Sequence, residues 1–162
     1  MKKTPKVVVL AALTLLSAVP ATAGGGGWAV SVGRFDIARE EKPVEGGLQY
    51  RFDGFSLGPL ELTPAAGISA NEDEGVWVYG VLRYDFEVSE RWVLTPTLGV
   101  SLYHEGDGKD LGGPIVFVTG LEVAYRFAGG SRLGLWFYHQ SNAGLYDLNP
   151  GANSLVLTWA FR

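Results

Sequence analysis

The sequence predicts an all-β fold: an eight-stranded antiparallel transmembrane β-barrel of the outer-membrane type. Three observations carry this. Side chains alternate between apolar and small or polar with a period of two along nearly the whole chain after residue 24. The chain is hydrophobic, with 47% apolar residues in 162 and a mean hydropathy of +0.13. Yet nothing after the N-terminus offers the roughly 18-residue apolar run that a membrane helix requires. Finally, the chain opens with an export signal. The remaining composition narrows the function. With no cysteine, disulfide frameworks, thiolate metal sites and cysteine nucleophiles are all excluded. A net charge of −4 argues against a nucleic-acid partner, which would call for a basic excess.

The export signal occupies residues 1–23. Lys2, Lys3 and Lys6 form its positive region, Val7 to Val19 its apolar stretch, and Ala21-Thr22-Ala23 the small residues of a cleavage site. An uncleaved anchor helix is the alternative. The shortness of the apolar stretch and the glycine run Gly24 to Gly27 that follows it count against that reading. Cleavage is expected after Ala23, leaving residues 24–162 as the barrel domain. Removal of three lysines and no acid shifts the net charge from −4 to −7.

Eight strand-like segments follow, near 27–37, 45–53, 57–70, 75–87, 91–104, 113–127, 131–142 and 152–162. Several exceed the roughly 9–11 residues that a tilted strand needs to cross a bilayer. The first carries Trp28 near its start. The second holds Gln49 and Arg51 opposite its apolar row, the third Glu61, and the fourth Arg83 and Asp85. In the fifth, Trp92, Leu94, Pro96, Leu98, Val100 and Leu102 share one face; Val93, Thr95, Thr97, Gly99, Ser101 and Tyr103 share the other. In the sixth, Ile115, Phe117, Thr119, Leu121, Val123, Tyr125 and Phe127 oppose a face that contains Glu122 and Arg126. The seventh sets Leu133, Leu135 and Phe137 on its apolar face and has Arg132 at its start. The eighth sets Leu155, Leu157, Trp159 and Phe161 against Val156, Thr158, Ala160 and Arg162.

A soluble lipocalin-like barrel would bury the apolar rows and turn the charges to water. A membrane barrel inverts this, with apolar rows on lipid and charges paired in a filled lumen. The export signal, the even strand number and the many aromatics favour the membrane. Expected lumen pairs are Glu122 with Arg126 and Arg83 with Asp85. Trp28, Trp92 and Trp159 are expected to form an aromatic girdle at the periplasmic strand ends. The links near Asp53-Gly54, residues 88–90 and residues 128–130 are short. Those near 38–44, 71–74, 105–112 and 143–151 are mostly longer and richer in acids, glycine and proline. Tight periplasmic turns and longer outer loops follow from that alternation. The terminal Trp159-Ala160-Phe161-Arg162 resembles the aromatic ending of outer-membrane proteins, with one residue beyond the phenylalanine.

Chemistry concentrates in the last hairpin. The outward parity of the seventh strand continues from Phe137 to His139 and Ser141, and that of the eighth runs back from Leu155 to Asn153. An imidazole, a hydroxyl and an amide therefore meet on the lipid-facing side, at the outer end of one hairpin. Interfacial polar residues marking the end of the span are one reading. A serine activated by histidine, with a third group holding the ring, is the other. In the second reading the Asn142 amide and the N–H groups of Asn142-Ala143-Gly144 offer oxyanion donors, so Asn142 and Gly144 are candidate substrate-positioning residues. Other features carry less. Residues Glu105 to Asp110 lack EF-hand spacing and a closing glutamate, and read as a flexible exposed loop. His104 lies outward at the end of its strand. No cofactor or metal is called for.

The motif His139-Gln140-Ser141-Asn142-Ala143-Gly144, followed by Asn149-Pro150-Gly151, resembles the signature of the outer-membrane lipid A 3-O-deacylases. The export signal, eight strands and C-terminal placement agree, so the resemblance spans the mature chain. It implies an outer-membrane serine esterase of a Gram-negative cell, removing the 3-linked acyl chain of lipid A with His139 and Ser141. The partners implied are lipopolysaccharide and outer-leaflet lipid, and a homodimer is compatible with it. One departure stands out: the glutamate that the family places twelve residues after the serine is Asn153 here. Reduced activity, recruitment of Asp147 as the acid, or a non-catalytic relative are the alternatives, in that order. The rival function is a small structural, adhesive or lipid-binding barrel.

Overall fold

The structure is a computed structural model that describes residues 26–161. The predicted signal peptide and Arg162 lie outside the described residues. The described strands are β1 (Gly27–Arg34), β2 (Val44–Arg51), β3 (Phe55–Leu57), β4 (Leu60–Asn71), β5 (Val76–Tyr84), β6 (Phe86–Glu87), β7 (Trp92–His104), β8 (Ile115–Arg126), β9 (Arg132–Ser141) and β10 (Ala152–Ala160). Eight of them form a closed antiparallel ring, β1-β2-β4-β5-β7-β8-β9-β10, with β10 returning to β1 and β2 pairing β4. Closure removes the free edges that an open sheet would expose. Strand β3 folds back on the start of β4, and β6 is a short addition to β7.

Two predicted segments change in detail. The link at Asp53-Gly54 is not a tight turn but leads into the β3–β4 hairpin, which turns at Gly58 with φ of 61°. The segment 75–87 is interrupted at Asp85, whose carboxylate accepts from Thr95 at 2.7 Å and pairs with Arg132.

The alternation has the predicted polarity. On β7, Leu98 and Leu102 are 62% and 63% exposed, while the intervening Ser101 is buried. Along β5, Val78 and Leu82 face out and Trp77, Tyr79, Val81 and Arg83 face in. The interior is polar as well as aromatic, for Arg83 and Glu122 are 2% and 1% exposed. A soluble barrel would place those charges outside, and a continuous apolar exterior of this size is stable only against lipid. The wall is thus that of an outer-membrane barrel.

Lumen pairing departs from the expectation. Glu122 pairs with Arg83 and Arg51, and also accepts from Thr158 at 2.5 Å. Arg126 pairs with Glu87, and Asp85 with Arg132. Same-facing residues along one strand stand roughly 7 Å apart at i,i+2, as for Arg83 and Asp85, and about 13 Å apart at i,i+4, as for Glu122 and Arg126, so these side chains pair with groups on other strands instead. At the turn end, edge-on ring contacts link Trp28 to Tyr50 and Phe52, and Trp92 to Tyr125 and Phe127. Phe127 continues to Trp159 and Phe161, so the aromatic girdle extends well beyond its three tryptophans.

Candidate active site

Strand register brings the site together. His139 on β9 lies opposite Asn153 on β10 and Thr119 on β8, and Ser141 lies opposite Phe117. All share the outward parity of Phe137 and Leu155. His139, Ser141 and Asn153 are each half-buried, at the end of the barrel that carries the longer loops. The imidazole Nδ1 stands 2.9 Å from Asn153 Oδ1. With the amide oxygen toward the ring, Nδ1 carries the hydrogen and Nε2 is left as an acceptor. Ser141 sits two residues along the same face. Among the described hydrogen bonds, none joins its hydroxyl to the ring.

Gly151 backs the histidine. Its φ is +60°, and a Cβ there would lie 2.7 Å from His139 Cε1 and 3.3 Å from Nε2. Backbone conformation and ring contact therefore both require glycine. Nothing in strand periodicity signals this contact, because Gly151 belongs to the loop before β10.

The loop after Ser141 is wound by Asn142. Its Oδ1 accepts from Gly144 N at 2.9 Å, and its carbonyl accepts from Leu145 N at 3.0 Å, with Ala143 at φ 52° and Gly144 at φ 82°. Its amide donates to the Leu111 carbonyl at 2.7 Å and the Leu148 carbonyl at 2.6 Å, while its own N–H reaches Asn149 Oδ1 at 3.0 Å. Both amide hydrogens of this fully buried side chain are therefore spent inside the protein, as is the Gly144 N–H. The expectation that Asn142 and Gly144 present donors to an oxyanion does not fit this arrangement. Among the described backbone bonds, none uses the Ala143 N–H.

Asp36, which sequence reasoning missed, supports the site from the other side. Its φ is 46° and it is 1% exposed. Oδ1 accepts from Asn153 N at 3.3 Å, Oδ2 accepts from Lys109 Nζ at 2.6 Å, and Ile37 N donates to the Asn153 carbonyl at 2.7 Å. The segment 105–112 is thus no free loop: Leu111 is buried and Tyr103 Oη donates to the Lys109 carbonyl at 2.8 Å. One brace joins Asn142, the 109–111 segment, Asp36 and Asn153. Asp147 is exposed and makes no described contact with His139, and His104 is an exposed rim residue. Among the described residues there is no cluster of three or more metal-binding side chains.

Fold and site together define an outer-membrane β-barrel with a hydrolase-like set of side chains on its lipid-facing wall. The chain belongs to the lipid A 3-O-deacylase (PagL) family, whose model matches residues 44–162. It is 25% identical over 118 residues to the lipid A deacylase PagL of Bordetella bronchiseptica. That match covers 67% of this chain and 66% of the relative, just under two thirds of the relative's length. In three dimensions it is similar to the crystal structure of the outer membrane enzyme PagL, with a TM-score of 0.65 and 21% identity over 84% of this chain and 99% of that one. A designed transmembrane β-barrel also matches, at a TM-score of 0.54 and 13% identity over 83% of this chain and 93% of that one. At these identities the two structures speak for the fold alone.

Proposed function

We propose that the protein is a lipid A 3-O-deacylase acting as a serine esterase in the outer leaflet. The observation that carries this reading is the His139–Asn153 bond of 2.9 Å beside Ser141 on the lipid-facing wall. Ser141 Oγ attacks the ester carbonyl at the 3-position while His139 Nε2 takes the hydroxyl proton. The Ala143 N–H receives the oxyanion. Collapse breaks the bond to the sugar oxygen, which takes the proton back from His139 and leaves as an alcohol. Water, deprotonated by the same imidazole, then attacks the acyl-serine; the bond to Ser141 Oγ breaks, His139 returns the proton to that oxygen, and a fatty acid is released. In a directly water-assisted variant, Ser141 polarises the water rather than carrying the acyl group.

Asn153 orients the imidazole but lacks the charge that would stabilise its protonated form, so turnover slower than with a carboxylate is expected. The substrate enters sideways from the leaflet, since side chains fill a lumen of eight strands. Maturation by removal of residues 1–23 precedes insertion. The amide at the third position also favours a second reading, a non-catalytic lipid-binding barrel. Mass spectrometry of lipid A from cells with and without the protein separates the two. Loss of one hydroxyacyl mass supports the esterase, and an unchanged profile supports the rival.

A further inference from the structure

The strand charges of this barrel point into the lumen or its periplasmic mouth, with one exception among the described residues. Arg34 ends β1 opposite Leu155, and Val32 lies opposite Leu157, so Arg34 shares the outward parity of Leu155 and Asn153. It is exposed, it stands on the strand next to the one that carries Asn153, and no carboxylate pairs with it among the described ion pairs. One of its terminal nitrogens, Nη1, donates to the Lys42 carbonyl at 2.8 Å. This steers the guanidinium toward the loop end, and it is the one side-chain hydrogen bond of Arg34 among the described residues, out of five N–H donors. A cation on a lipid-facing wall is costly near mid-membrane and tolerated near the interface. There it meets the anionic groups of lipid headgroups, and guanidinium binds a phosphate in a two-point fork that ammonium cannot reproduce.

We propose that Arg34 binds a phosphate group on the sugar headgroup of the substrate, and so sets the acylated sugar against His139 and Ser141. The proposal rests on the deacylase reading and adds its headgroup subsite. One headgroup then spans β1 to β9, with the phosphate on Arg34 and the ester two strands away on β9, across β10. A charge-assisted contact of this kind contributes on the order of tenfold to a hundredfold in affinity.

The test compares deacylation of phosphorylated and enzymatically dephosphorylated lipid A in zwitterionic detergent, with inorganic phosphate added in a parallel series. The native protein should favour the phosphorylated substrate in KM by roughly tenfold or more. Arg34→Gln should bring the two KM values together, and Arg34→Lys should fall between. Weak competition by inorganic phosphate, lost in Arg34→Gln, would support the same subsite. An undiminished preference in Arg34→Gln would overturn it, as would equal KM values in the native protein. If Arg34→Gln does not fold, an undiminished preference in Arg34→Lys, alongside phosphate inhibition that ignores the substitution, overturns it too. Absence of turnover on either substrate by the native protein would instead count against the deacylase reading itself.

Discussion

Asn153 is the residue on which the site's chemistry turns. Strand parity alone places it with His139 and Ser141, because register in a barrel wall fixes which side chains share a face. Its hydrogen bond to Nδ1 supplies orientation without charge. Asn153→Glu should therefore keep or raise the deacylation rate, and a total loss on that exchange would argue against the role. Gly151 was not legible in this way. It was legible only as part of the Asn149-Pro150-Gly151 motif, and its contact with the neighbouring strand's ring is one that strand periodicity does not encode. Gly151→Ala strains a φ of +60° and pushes the His139 ring at Cε1. Displacement of a catalytic group by about 1 Å costs on the order of a hundredfold in rate. We expect kcat to fall by about that factor while the barrel remains folded on cold gel electrophoresis; an unchanged kcat would show that the ring tolerates the shift.

Among the elements, the spanning strands were legible and the loops were not. Leu98, Leu121 and Phe137 follow from period two, whereas the segment 105–112 is charged and glycine-rich and reads as mobile. Its order comes from Leu111 and Lys109, whose partners are 31 and 73 residues away in sequence. Glycines at 112 and 113 let it lie against the 142–151 loop, since a Cβ on Gly112 would meet the Leu148 carbonyl at 1.7 Å and one on Gly113 the Tyr146 ring at 2.3 Å. The brace makes a specific prediction. Lys109→Met leaves the buried Asp36 carboxylate without its cation, at a cost of about 1–3 kcal/mol. Limited proteolysis should cut 105–112 faster, and kcat should fall because Asp36 also holds the Asn153 N–H. Adding Asp36→Asn to Lys109→Met should restore part of both. Identical proteolysis of the native and Lys109→Met proteins would mean that the pair does not hold the loop.

The whole molecule is organised by one inversion, with apolar side chains on the wall and ions inside. It explains why a chain of high hydropathy has no helical span: apolar residues occupy every second position of eight strands. Alternation showed which residues face the lumen but not who pairs with whom, since the partners of Glu122 lie on β2 and β5, more than 30 residues away in sequence. Glu122→Gln would leave Arg51 and Arg83 facing each other in the lumen. A loss of roughly 3 kcal/mol is expected from breaking such a buried group, read as a lower urea midpoint with the acyl specificity unchanged. An unshifted midpoint would show that the remaining lumen groups compensate. The lipid-facing wall with its serine is where the deacylase reading stands or falls. Native and Ser141→Ala proteins, purified in parallel and shown to be folded, are incubated with lipid A, and the products are weighed by mass spectrometry. Loss of one 3-linked hydroxyacyl group is expected with the native protein and none with Ser141→Ala. Equal release by both would contradict that expectation.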